Sequence, residues 1–182
     1  MVTIQEILIP FHRLTFELEI DKFLLNISLI LMMMTNIMQQ VDKQWLMIDY
    51  ILSRTSPTKT LIKLTLNIYI KLMGWMLIPI ASGSLGLTLS TWVTLLIWCE
   101  MFMILRFKHV HSKTIYFSLL VLMIVAQSLV TFVPGLTIFI LGSVALLQQP
   151  YFWIGMKILL WVLLIGSKLQ LIKKYESLGG EA

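Results

Sequence analysis

Residues 136–147, Leu-Thr-Ile-Phe-Ile-Leu-Gly-Ser-Val-Ala-Leu-Leu, decide the topology of this chain. They follow Pro134-Gly135 and are closed by Gln148-Gln149-Pro150. As a helix this stretch would be ~18 Å long, at ~1.5 Å of rise per residue. The hydrocarbon core of a bilayer is about 30 Å thick. The stretch therefore cannot cross unless it continues past Pro150.

Longer apolar runs stand on both sides of it. Ile115–Phe132 precedes it and Tyr151–Ile172 follows, ending at Lys173-Lys174. Further upstream, Leu85–Leu105 is closed by Arg106-Phe107-Lys108, and Phe23–Val41 carries no charge. These runs match the roughly 20 residues that a spanning helix needs. Ser56-Pro57 has the form of an N-cap followed by proline at the first helical position. A helix is expected from there through Lys59, Lys63 and Lys71 to Ile80, where Ser82-Gly83-Ser84 turns it round.

Composition agrees. Of 182 residues, 58% are hydrophobic and 13% charged, against roughly 25% charge in a soluble domain. There are too few polar groups to clothe a water-facing surface, so lipid is the solvent for much of the chain. The net charge of +5 sits in short clusters at Arg106–Lys113 and Lys168–Lys174. That is a topology signal and argues against nucleic acid. A single cysteine, Cys99, excludes an intrachain disulfide or a multi-thiolate metal site. His12, His109 and His111 lack companions at ligand spacing, so no metal or cofactor is expected in this chain. No removable signal peptide, repeat or flexible linker is evident, and residues 1–182 read as a single transmembrane domain.

Charge then orders the spans. The connections at 42–63 and 106–113 and the tail from Lys168 all carry excess Lys and Arg, so all three are expected inside. If 136–147 crossed, the tail would be on the opposite side from the 106–113 loop. If residues 133–150 fold back as a re-entrant hairpin in the outer leaflet, the three clusters share one side. The expected fold is thus an all-α integral membrane protein with about five spans. Its N-terminus is expected outside and its C-terminus in the cytoplasm of a cell membrane. Tyr151, Phe152 and Trp153 would anchor at the outer interface, and residues 1–22, interrupted by Pro10, would lie at an interface.

Residues 42–55 show a different pattern. Trp45, Ile48, Ile51 and Leu52 gather on one side of a helical wheel, with Asp42, Lys43, Asp49, Tyr50 and Ser53 largely opposite. This predicts a short amphipathic helix lying along the inner surface. Such a helix, joined to spans on both sides, can convert a push from a cytoplasmic partner into span movement. Asp49, Tyr50, Ser53, Arg54, Thr55 and Lys59 would meet that partner. The plainer reading is an interfacial helix that anchors a loop.

Three ionisable residues, Lys71, Glu100 and Lys157, fall within apolar runs, where charge is costly and usually faces protein or water. Glu100 lies six residues before Arg106, and Lys71 eight beyond Lys63 on the antiparallel neighbour. Their depths differ by ~3 Å, so the two are expected to pair. The alternative is that Lys71 snorkels alone and Glu100 reaches water. Lys157 is expected to snorkel to the outer headgroups. Met32–Met34 reads as flexible packing. No HExxH, GxSxG, paired-Asp or P-loop motif is present, and Glu100 has no His or second carboxylate beside it. This argues against catalysis or ATP hydrolysis by the chain itself.

Ile51-Leu52-Ser53-Arg54, Ser56-Pro57, Lys59 and Lys63 together resemble the permease subunits of ABC type-2 exporters. In that family a span leads into a cytoplasmic coupling helix, then a Ser-Arg-rich turn, then the next span. Its last two spans are joined by a hairpin dipping into the outer leaflet. The likeness covers roughly residues 23–174, although the family's first span is missing or replaced by residues 1–20. It implies separate ABC ATPase subunits carrying ATP and Mg, a second permease copy or paralogue, and export of a peptide or amphiphile, or immunity to it. A different class of reading is a small structural subunit of a larger membrane complex, such as a respiratory assembly. A membrane enzyme ranks third.

Overall fold

The computed structural model describes residues 8–9, 20–52, 57–81, 84–130, 132–143 and 148–179. The side chains of 44–58, 60, 61, 76, 79 and 174–179 lie outside that description. Helix α1 runs Ile20–Leu52 and α2 Pro57–Leu72, which continues through a 3-10 turn (Met73–Met76) into the short α3 (Leu77–Ile80). Then come α4 (Leu85–Phe107), α5 (Ser112–Leu129), a second 3-10 turn (Pro134–Ile138) and α6 (Pro150–Gly179). The all-α expectation holds, with no strand among the described residues. Four helices are long and apolar enough to cross a membrane: Ile20–Lys43, Leu85–Phe107, Ser112–Leu129 and Pro150–Lys173.

Local sequence explains the boundaries. Helix α2 starts at Pro57, as the N1 proline predicts. Its pitch changes at Met73–Met76 because Pro79 has no N–H to give the carbonyl four residues back, at Trp75. Ser84 caps α4, its hydroxyl accepting from Leu87 N–H at 3.3 Å. At the other end of α4, His109 turns into the left-handed region (φ 60°). Val110 N–H then reaches Leu105 O at 3.2 Å and His109 N–H reaches Arg106 O at 3.0 Å. This is a Schellman ending, with histidine at the position that usually holds glycine.

Helix α4 is the centre of the bundle, with 78% of its spanning window buried, against 28%, 33% and 11% for α1, α5 and α6. Its buried Leu95, Ile97, Trp98, Cys99 and Phe102 join Met33, Met34, Ile37, Ile68, Leu119 and Met123 in one apolar core. Helix α1 contributes a stripe of Asn26, Ile30, Met33, Met34, Ile37 and Val41, while Met32 faces out. The outermost helix, α6, packs along α4 and is inside out by the standards of a soluble protein. Among its described side chains the buried ones are Lys157, Lys168 and Ile172, while Phe152, Leu159, Val162 and Leu163 are exposed. Lipid as solvent accounts for both halves of that pattern.

The basic segments share one end of the bundle. Phe107 and Ile172 form a small apolar cluster with Leu64. Asp42 accepts a hydrogen bond from Ser112 Oγ at 2.5 Å and lies 3.6 Å from Arg106 Nε. Lys59, Lys63, Lys108, Lys113 and Lys173 are all exposed near these contacts.

Three expectations are corrected. Residues 42–52 are not a separate surface helix. They continue α1 without a turn, because no glycine or proline interrupts residues 20–52. Within that stretch Asp49 and Tyr50 have only their backbone described, and Ser53, Arg54 and Thr55 lie outside the described residues. Next, Leu8 and Ile9 are buried rather than interfacial. Gly142 makes room for them: a Cβ there would come within 3.0 Å of Ile9 and 3.1 Å of Leu8 O. The other N-terminal residues up to 19 lie outside the description. Lastly, 136–147 is not a helix in its described part. It is a 3-10 turn to Ile138 followed by irregular backbone to Ser143, with 144–147 outside the description. Its described part meets α4 from Leu87, beside Gly142, to Trp98, whose Nε1 donates to Phe139 O.

Candidate functional site

Two polar clusters lie along the contact between α4 and α6, each built around a lysine of α6. Lys157 and Lys168 are eleven residues apart, which returns a helix to within about 20° of the same face and separates them by ~16 Å. Both therefore point at α4.

The first cluster lies near the irregular segment. Lys157 is fully buried, and its Nζ donates to Ser90 Oγ (2.6 Å), Thr94 Oγ1 (2.7 Å) and Ile140 O (2.7 Å). Three N–H donors meet three oxygens, so the ammonium is fully hydrogen-bonded, and no carboxylate among the described residues pairs with it. Ser90 and Thr94 are one helical turn apart on α4 and so present both hydroxyls to one point. Thr94 Oγ1 also approaches Ile140 O (3.2 Å), Ser90 Oγ approaches Leu141 O (3.3 Å), and Trp98 Nε1 donates to Phe139 O (2.9 Å). Three consecutive carbonyls without helical partners are thus met by α4 and α6 side chains. This is the condition for non-helical backbone inside an apolar surround. Lys157 does not snorkel: three acceptor oxygens within reach outcompete the longer path to the headgroups.

The second cluster is nearer the basic end. Lys168 Nζ pairs with Glu100 Oε1 at 2.8 Å and donates to Thr65 Oγ1 at 3.1 Å. Tyr69 Oη donates to the same Glu100 oxygen and accepts from Trp161 Nε1 at 3.2 Å. The side chain of Glu100 is fully buried and that of Lys168 is 6% exposed. Glu100 Oε2, also buried, has no hydrogen-bond partner among the described residues. A cavity of about 270 Å³ adjoins the cluster. It lies between α2 and α6, with Glu100 of α4 as its floor.

The expected Lys71–Glu100 pair is replaced by Lys168–Glu100. The depth argument was sound, since Tyr69, two residues before Lys71, reaches Glu100. Direction decides the matter: two residues turn a helix by about 200°, so Lys71 faces away. It is exposed and donates to Gln40 Oε1 at 3.2 Å. Sequence reasoning also missed Lys168, which was counted with the basic tail, and the hydroxyl partners Ser90, Thr94, Thr65 and Tyr69. The eleven-residue repeat of lysine on α6 was the signal that could have found it. Among the described residues no group of His, Cys, Asp and Glu could hold a metal ion. Lys59 is exposed at the start of α2.

No protein-family model, curated protein or solved structure matches the chain.

Proposed function

We propose that the chain is the membrane-spanning permease subunit of an ATP-driven exporter of the ABC type. It crosses the membrane five times, the fifth pass being α2 with its 3-10 turn and α3, and residues 133–150 form a re-entrant hairpin in the outer leaflet. The shared basic end is cytoplasmic, which follows from the positive-inside rule applied to Lys59, Lys63, Arg106, Lys108, Lys113 and Lys173. The N-terminus is then outside and the C-terminus inside.

One observation carries the reading. Helix α1 runs ten residues past Asp42, the point where it is clamped to Arg106 and Ser112. That extension projects ~15 Å as unbroken helix. A lever needs a rigid arm and a fixed pivot, and residues 43–52 with Asp42 supply both. The residues expected at the partner, Asp49, Tyr50, Ser53, Arg54, Thr55 and Lys59, lie in sequence from the end of this arm to the start of α2. Movement of ATPase subunits against it would shift α1 together with the loop between α4 and α5. ATP and Mg belong to those partners, and hydrolysis takes place there rather than in this chain. A second permease copy or a paralogue completes the path for a peptide or amphiphile.

The test is co-purification from native membranes followed by mass spectrometry, with wild type and Arg54→Glu. The expected result is an ABC ATPase that accompanies wild type and is lost with the variant. Recovery of respiratory or other assembly subunits instead would establish the structural-subunit reading. Orientation is checked separately with Lys59→Cys in a Cys99→Ser background, where a membrane-impermeant thiol reagent should label only from the cytoplasmic side. Labelling from outside overturns the proposal.

A further inference from the structure

We infer that the cavity between α2 and α6 binds an aliphatic amphiphile through a neutral head that both donates and accepts a hydrogen bond, such as a hydroxyl or a secondary amide. The chemistry of the floor sets the head. Glu100 Oε1 already receives Lys168 and Tyr69, whereas the buried Oε2 receives nothing among the described residues. An unmet acceptor of this kind is costly to bury, and a donor placed against it recovers that cost. Lys168, which lines the same cavity, spends two of its three N–H groups, on Glu100 and Thr65. An unmet acceptor on Glu100 and an unspent N–H on Lys168, two residues that line one cavity, match a hydroxyl or an amide.

Charge excludes the obvious rival. Glu100 and Lys168 neutralise each other, so a cationic head would bring an uncompensated charge into an apolar surround, where charge is expensive. A carboxylate would meet the mirror-image penalty.

The walls set the tail. Ile62 and Leu66 on α2 face Ile165, Leu169 and Ile172 on α6. Ile62 and Leu66 are 55% and 57% exposed, so the mouth opens on the apolar outer surface of the bundle. In a membrane that surface meets lipid, and the ligand enters from the bilayer rather than from water.

Calling this ligand the transported substrate rests on the exporter reading; the binding itself does not. The experiment uses the purified full chain in nanodiscs without any ATPase, so failure of binding and failure of ATPase association are separate results. Three probes carry a photoreactive diazirine on a sixteen-carbon chain: an alcohol, an amine protonated at neutral pH, and a plain hydrocarbon. Crosslinked residues are read by mass spectrometry.

The alcohol should label α2 and α6 around Leu66 and Leu169 about tenfold more than the hydrocarbon, the scale of one hydrogen bond to a charged group. It should also exceed the amine. Ile165→Trp fills the cavity without touching the polar cluster and should abolish the difference, while Leu163→Trp on the outer face of α6 should leave it intact. Equal labelling by alcohol and hydrocarbon would reduce the cavity to ordinary lipid contact and overturn the inference. So would preferential labelling by the amine, or an alcohol signal unchanged by Ile165→Trp.

Discussion

Lys157 Nζ stands 2.7 Å from the carbonyl oxygen of Ile140, and this bond ties a helix to a stretch of backbone that has no ladder of its own. The same ammonium holds Ser90 and Thr94, which themselves approach the Leu141 and Ile140 carbonyls. A single side chain thereby connects α6, α4 and the segment after the second 3-10 turn.

Lys157→Met should therefore loosen that segment more than it harms the helices. Methionine keeps the length and fills the space, but it removes three charge-assisted bonds. Ser90 still serves Leu141 O at 3.3 Å, and the single Thr94 hydroxyl proton is shared between Ser90 O (2.8 Å) and Ile140 O (3.2 Å), so the expected loss is about 1–3 kcal/mol rather than the sum of three bonds. Thermal unfolding in detergent should show a lower Tm, and hydrogen exchange should rise selectively at residues 139–143. Unchanged exchange there would mean that the lysine is incidental to the turn.

Glu100 and Lys168 should behave as a unit. Glu100→Gln and Lys168→Met each strand a buried charge, whereas the double variant strands none. A double-mutant cycle should return a coupling of about 1–3 kcal/mol, with the pair less damaging than the two singles added. Additivity would show that water reaches one of the two groups and that the ion pair contributes little.

Lys71 provides the contrast. It is exposed, and its contact is a 3.2 Å bond to Gln40 rather than an ion pair. Lys71→Met should change stability by less than about 0.5 kcal/mol, as surface substitutions usually do. A loss comparable to that of Lys168→Met would mean that Lys71 supports the Glu100 cluster after all.

These three lysines show how far the sequence could be read. Uncharged length was legible: the runs at Phe23–Val41, Leu85–Leu105 and Tyr151–Ile172 fall within long apolar helices, and the run at Ile115–Phe132 overruns the end of its helix at Leu129 by three residues. Depth was legible for Glu100 and for the region of Tyr69, because rise accumulates predictably from a basic end. Azimuth was not. Whether a lysine faces α4 or lipid depends on how its helix is rolled against a neighbour, and within its apolar run α6 offers only the charges of Lys157 and Lys168, eleven residues apart, to fix that roll. Continuity of α1 was readable from the lack of glycine and proline between 20 and 52. The amphipathic pattern after Asp42 drew attention instead to a break that the backbone does not make.

The clamp at Asp42 yields the last expectation, and the lever depends on it. Asp42 Oδ1 accepts from Ser112 Oγ at the first turn of α5 and lies 3.6 Å from Arg106 at the last turn of α4. Both charged side chains are partly exposed, at 36% and 24%, so screening keeps the energetic effect of Asp42→Ala to about 1 kcal/mol. The mechanical effect should be larger than the energetic one. With the clamp gone, α1 near residue 43 is no longer fixed to the loop that begins α5. Spin labels on Lys43→Cys and Lys113→Cys, in a Cys99→Ser background, should give a narrow distance distribution in the otherwise wild-type chain and a broad one with Asp42→Ala. If both distributions are broad, the arm has no pivot, and a push on residues 43–52 would bend the chain rather than move the bundle.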